Sequence, residues 1–143
     1  YLGIEGNRTN AAAWRLLGLA QFEARQLDSA ERSLGTAAQL APRDPEVWNG
    51  LGLIHVARRR FADARKAFAY VIELAPAHAP ARRNLAVLTH QHLGDPAGAL
   101  TQYRAYLALQ PAPPDHAQVQ ALVTALEKQL APPPAATNRP PVM

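Results

Sequence analysis

The chain has 143 residues, no cysteine and a formal net charge of +4. This length suits one domain with its own core. The lack of cysteine excludes disulfides, thiolate metal sites and a cysteine nucleophile, and the small charge is weak evidence for a nucleic-acid partner. No apolar run approaches the ~20 residues that cross a bilayer. No targeting signal is visible, so the sequence leaves the compartment open between cytoplasm and periplasm.

A repeat of 34 residues dominates the chain. Identical residues recur at this spacing as the pairs Trp14 and Trp48, Leu17 and Leu51, Gly18 and Gly52, Ala30 and Ala64, and Pro42 and Pro76. A third copy keeps the spacing at Leu85, and then one residue is inserted before Ala99 and Pro111. So many identities at one spacing predict three structural repeats.

In chain order, residues 1–10 align in phase with the end of a second helix. We interpret them as a remnant of a preceding repeat or as a short cover. The repeats follow at 11–44, 45–78 and 79–113, and the apolar spacing of each predicts two helices. Each second helix is predicted to stop at a proline, namely Pro42, Pro76 or Pro111.

Capping residues predict where the helices begin. Asn10 is predicted to cap the first helix, and Asp28 the second, with Glu31 completing a capping box. Asp44 and Asp95 each precede a proline, which predicts a cap followed by a first-turn proline.

The C-terminal part of the chain divides into two segments. Residues 114–130 carry Asp115 as a predicted cap and an apolar stripe at helical spacing, which predicts a helix that caps the third repeat. Residues 131–143 are rich in proline and are predicted to be disordered.

Small residues on both helices of each repeat predict a close approach of the paired backbones. They are Gly18, Gly52 and Ala86 on the first helices and Ala30, Ala64 and Ala99 on the second. Large side chains are predicted to fill the core around them: Trp14, Leu17, Leu34, Trp48, Leu51, Phe68, Leu85 and Tyr103.

These residues carry a family resemblance. The elements Trp14-x2-Leu17-Gly18, Ala30-x3-Leu34 and Pro42, which recur from Trp48 to Pro76, resemble the tetratricopeptide pattern. The resemblance implies an all-α, right-handed superhelical solenoid of three helix-turn-helix repeats plus the C-terminal capping helix.

The resemblance also implies that the first helices line a concave groove. The candidate lining comprises Arg15, Leu16, Leu19, Phe22, Asn49, Leu53, Val56, Arg83, Asn84, Val87 and His90. Its apolar share predicts a partner that offers an amphipathic helix or an extended apolar peptide. The alternative is that about half of the apolar residues belong to the core.

One subgroup of the family grips the C-terminal carboxylate of chaperones with Lys, Asn and Arg side chains. The matching positions here hold Arg15, Leu19, Gly50, Pro80 and Asn84. Of these only Arg15 has the required chemistry, so we do not expect this carboxylate clamp.

We therefore expect a protein-interaction module or scaffold, and not an enzyme, with no cofactor and no metal. His90 and His92 are the only metal-like pair, and residues two apart on a helix point nearly opposite ways. The arginines at 58–60 leave polyanion or nucleic-acid binding as an alternative, although compensation of a helix dipole accounts for them better. A non-catalytic part of a larger enzyme and self-association also stay open, and the bias toward Ala, Arg and Pro suggests a bacterial source.

Overall fold

The computed structural model describes residues 2–134, without the side chains of residues 2–5 and 7. This range forms helices only, which confirms the all-α class. They are α1 (Leu2–Glu23), α2 (Leu27–Leu40), α3 (Pro45–Ala57), α4 (Phe61–Leu74), α5 (Ala79–Gln91), α6 (Pro96–Leu107) and α7 (His116–Leu130). They pack in pairs, α1 with α2, α3 with α4 and α5 with α6, and each second helix also contacts the next first helix. None of the described helices is long and apolar enough to cross a membrane.

The two caps that precede a proline are confirmed. The Asp44 carboxylate accepts a hydrogen bond from the Glu46 amide at 3.0 Å, and Asp95 accepts one from the Gly98 amide at 2.9 Å. Each aspartate thus satisfies an amide that lacks a partner inside the helix.

Two other caps were predicted wrongly, and a third has the predicted position without the capping bond. Asn10 lies inside α1, because no break in the helix precedes it. Asp28 lies in the first turn of α2, after Gln26, and its carboxylate pairs instead with Arg58 of the next repeat. Asp115 does precede α7, but its carboxylate makes no capping bond. The structure continues α1 back to Leu2, and the origin of residues 1–10 in an earlier repeat stays a prediction.

The predicted close approach of the paired helices is present. A Cβ on Gly18 would lie 2.6 Å from Cγ of Leu34, and one on Gly52 would overlap the Phe68 ring. Leu34 and Phe68 are fully buried, so neither can move aside at low cost.

One predicted core residue lies on the surface. Leu17 is 45% exposed, whereas its repeat partner Leu51 is 8% exposed. Leu51 belongs to the cluster that α2 forms with α3, and no described helix covers α1 in the same way. The pattern predicts which residue of a first helix faces the helix before it, and the described residues contain no helix before α1.

The last helix packs on α6. Val119, Val123 and Leu126 are buried in one cluster with Tyr103 and Tyr106. The chain from 131 to 134 has no helix. The rest of the segment predicted to be disordered, residues 135–143, lies outside the described residues.

Candidate binding groove

The first helices of successive repeats lie side by side, so the three helices that carry the predicted lining residues are neighbours. α1 contacts α3, and α3 contacts α5. Between the last two, Nδ2 of Asn84 donates a hydrogen bond to Oδ1 of Asn49 at 3.0 Å. Asn49 is only 8% exposed, so this pair ties the two helices together beneath the surface.

Each of the two arginines in the predicted lining forms an ion pair with an aspartate that directly precedes a later helix. Arg15 contacts Asp44, which precedes α3, at 2.6 Å. Arg83 contacts Asp115, which precedes α7, at 2.8 Å. The groove therefore presents little uncompensated positive charge at these two places.

The second of these pairs extends to Tyr106. The Tyr106 hydroxyl donates a hydrogen bond to Asp115, and this bond, with a further contribution from Arg83, holds the pKa of the Asp115 carboxyl below its usual value although burial opposes the shift. Burial and, to a smaller extent, the hydrogen bond to Asp115 raise the pKa of Tyr106 to about 12. These groups lock α5, α6 and the start of α7 together at neutral pH.

The apolar lining residues differ in exposure. Leu16 is 64% exposed, the most open large apolar side chain described. The others are half-buried, each with part of its surface on a core cluster: Leu19 and Phe22 in the first repeat, Leu53 and Val56 in the second, and Val87 in the third.

His90 is tied to the third repeat. Its ring meets the Tyr103 ring edge-on with the centroids 5.9 Å apart, and Nδ1 lies 3.4 Å from the Tyr103 hydroxyl. No group of three or more His, Cys, Asp or Glu residues within residues 2–134 is arranged to hold a metal ion.

The arginine cluster at 58–60 serves mainly as a link between repeats. Arg58 pairs with Asp28 and Glu31, and Arg60 contacts Glu31 at 2.7 Å. Arg59 lies over the Phe61 ring, 5.4 Å from its centroid. Two of the three guanidinium groups are thus neutralised within the protein.

Some cavities of the described chain lie outside the predicted lining or at its end. One of about 550 Å³ is lined by Trp48, His55, Asp63, Lys66, Ala67 and Tyr70. Another of about 510 Å³, which includes the predicted residue Phe22, is completed by Glu23, Arg25, Leu27 and Ala57. Sequence reasoning missed both because each cavity joins residues of separate helices whose relative positions depend on packing. The 34-residue repeat carries no signal for a cavity.

Comparison with known proteins gives the following matches. The model of the tetratricopeptide repeat family matches residues 15–79 and again residues 49–117. No curated protein matches the chain. The TPR domain of Arabidopsis OM64 superimposes with a TM-score of 0.75 at 14% identity, covering 87% of this chain and 99% of that one.

Two further solved structures have the same architecture. The first TPR of Spaghetti (RPAP3), bound to the HSP90 peptide SRMEEVD, has a TM-score of 0.75 at 16% identity, covering 87% of this chain and 98% of that one. The Yersinia enterocolitica type III secretion translocator chaperone SycD has a TM-score of 0.74 at 16% identity, covering 82% and 83%. At 14–16% sequence identity, this structural similarity shows that the folds are alike and nothing more.

Proposed function

We propose, since the chain belongs to the tetratricopeptide repeat family, that this protein-interaction module binds an apolar or amphipathic segment of a partner protein in its concave groove. In this proposal the module holds its partner and performs no catalysis. The groove is the surface defined by the eleven lining residues from Arg15 to His90 named in the sequence analysis.

The observation that carries the proposal is the contrast between the polar and the apolar residues of the groove. Arg15, Arg83 and the pair formed by Asn49 and Asn84 have partners within the protein. Leu16, in contrast, is 64% exposed. The part of the groove that remains exposed is therefore apolar. An exposed apolar surface usually marks an interface.

An acidic peptide is a poorer match to this groove. The RPAP3 domain was solved with such a peptide, SRMEEVD. Here Asp44 and Asp115 already hold the two groove arginines, and an acidic ligand would have to displace a carboxylate that lies within the same protein. Leu19, Gly50 and Pro80 supply no cation at the remaining clamp positions.

A selected peptide and a charge substitution test the proposal. Peptides are selected from a displayed random library against the wild-type protein, and the dissociation constant of the best one is measured by calorimetry. Leu16→Glu should weaken its binding roughly tenfold or more, because a carboxylate would be desolvated against an apolar ligand. The melting temperature should hardly change, since Leu16 is exposed.

The matched control is Thr101→Glu, which adds the same charge to an exposed position on α6. It should leave both the affinity and the melting temperature unchanged. Selection of acidic peptides, or equal affinity of the Leu16→Glu variant, would contradict an apolar groove.

A further inference from the structure

A cavity of about 550 Å³ lies between α3 and α4, and none of its six lining residues belongs to the groove. Its two helices form the middle repeat, and the neighbouring helices α2 and α5 are both present and packed against it. The cavity therefore stays open with a repeat on either side. Its volume falls in the range of about 300–1,000 Å³ that is usual for small-molecule sites. We call it the middle cavity.

One end of the middle cavity is aromatic. The rings of Trp48 and Tyr70 meet edge to face, with their centroids 5.4 Å apart. Nε1 of Trp48 donates a hydrogen bond to the Pro42 carbonyl at 2.8 Å, and the Tyr70 hydroxyl donates to the same carbonyl at 3.2 Å. Because both polar atoms are occupied there, the two side chains offer carbon surface to a ligand. This surface suits a planar aromatic ring.

The other end of the cavity is polar. α3 ends at Ala57 and α4 begins at Phe61, so the two helices run antiparallel and place His55 and Asp63 at the end away from the two rings. Nδ1 of His55 is buried and has no hydrogen-bond partner in the described chain. Asp63 is exposed and forms no ion pair with a described residue.

The position of His55 is satisfied in the other two repeats. In the first repeat its equivalent, Gln21, accepts a hydrogen bond from the Ser33 hydroxyl at 2.6 Å. In the third repeat the hydroxyl of Thr89 donates to a backbone carbonyl of its own helix at 2.7 Å. In the middle repeat Ala67 stands where Ser33 stands in the first, and a methyl group cannot bond to His55. A buried polar atom without a partner is costly, and a ligand that bonds to it removes this cost.

We propose that the middle cavity binds a small aromatic amine, that is, a molecule with a planar ring and an ammonium group. The ring packs on Trp48 and Tyr70. The ammonium group donates to Nδ1 of His55 and to the Asp63 carboxylate. His55 is then neutral with its proton on Nε2, which leaves Nδ1 free to accept.

The charges beside the cavity favour an ammonium group over a carboxylate at the polar end. Asp63 lies in the first turn of α4, at the end that holds His55. Lys66 follows about one turn later and is exposed. A ligand that also carries a carboxylate, as an aromatic amino acid does, would place it beside Lys66.

The test is an NMR titration of the full chain with tryptamine, observed at the backbone amides and the tryptophan indole N–H groups. We expect saturable shifts of the Trp48 indole and of the amides of residues 63–70. Indole lacks the ammonium group and indole-3-acetate carries a carboxylate instead. Each should bind roughly tenfold more weakly than tryptamine or worse.

Two variants test the polar end. Asp63→Asn keeps the size of the side chain and should weaken tryptamine binding roughly tenfold, because it removes a charge-assisted hydrogen bond. Glu73→Gln is the matched control, since it removes the same charge from an exposed position of α4 outside the cavity, and it should change nothing. Ala67→Ser gives His55 the internal partner that Ser33 gives Gln21, so it should weaken tryptamine binding without lowering the melting temperature.

L-Tryptophan distinguishes the two sources of this chemistry. If it binds more tightly than tryptamine and Lys66→Ala removes the difference, the ligand is an aromatic amino acid; otherwise it is an amine without a carboxylate. The absence of saturable shifts, equal binding of indole or indole-3-acetate, or an unchanged affinity of Asp63→Asn would overturn the proposal. The groove proposal concerns Leu16 and peptides from a random library, so either proposal can fail without the other.

Discussion

Two turns between paired helices hold an arginine in the left-handed region of backbone space. Arg25 has φ 60° and Arg59 has φ 59°, and the third repeat has Gly94 with φ 61° in the corresponding turn. An L-residue in this region costs about 1–2 kcal/mol, whereas glycine adopts it freely. The first two repeats therefore carry local strain that the third avoids.

Arg25→Gly should raise the free energy of unfolding by about 0.5–1 kcal/mol, because it removes this strain. Arg25 is exposed, so no packing is lost. Urea denaturation followed by circular dichroism measures the change. Arg25→Ala retains a Cβ and should bring no comparable gain. If the alanine variant gains as much as the glycine variant, the strain account is wrong.

Individual caps were predictable only where the local sequence determines them. Asp44 and Asp95 are each followed by a proline, and both cap. Asp28 and Asp115 instead bind Arg58 and Tyr106, which lie 30 and 9 residues away, and such partners cannot be read from the neighbouring sequence.

At the scale of the element, the punctuation by prolines and the apolar spacing predicted the helices from α2 to α7 well. The start of α1 was placed wrongly at Asn10. An asparagine side chain is able to cap a helix, but whether it does so depends on the conformation of the backbone before it. The rotation of the helices was predicted only in part. Leu19 and Leu53 use part of their surface for core contacts, so the spacing alone does not separate groove from core.

The helix α7 should be required for stability of the third repeat. Truncation after Pro114 removes the buried Val119, Val123 and Leu126, and burial of each such side chain is worth about 1.5–3 kcal/mol. It also removes Asp115, the partner of Arg83 and Tyr106. We expect a lower melting temperature and lower solubility.

Truncation after Pro134 is the control, because it retains all of α7 and should melt like the full chain. Unchanged melting and solubility after the cut at Pro114 would show that α7 is not a cap.

At the scale of the whole molecule, the three first helices α1, α3 and α5 lie in a row and form its inner surface. The ion pair from Arg15 to Asp44 joins α1 to the start of α3, and the pair from Arg83 to Asp115 joins α5 to the start of α7. The 34-residue repeat predicted the row itself. These pairs were not predicted, because they join residues 29 and 32 positions apart whose distance depends on how the helices stack.

The central claim is that a partner segment lies against the apolar residues of the concave groove. Its most direct test is NMR mapping of the library-selected peptide on the wild-type protein, with the backbone amides and the leucine and valine methyl groups labelled. The claim predicts that the largest shifts fall on Leu16, Leu53, Val56 and Val87, across all three repeats. Shifts confined to the cavity beside Trp48, His55 and Tyr70, with these methyl groups unmoved, would contradict it.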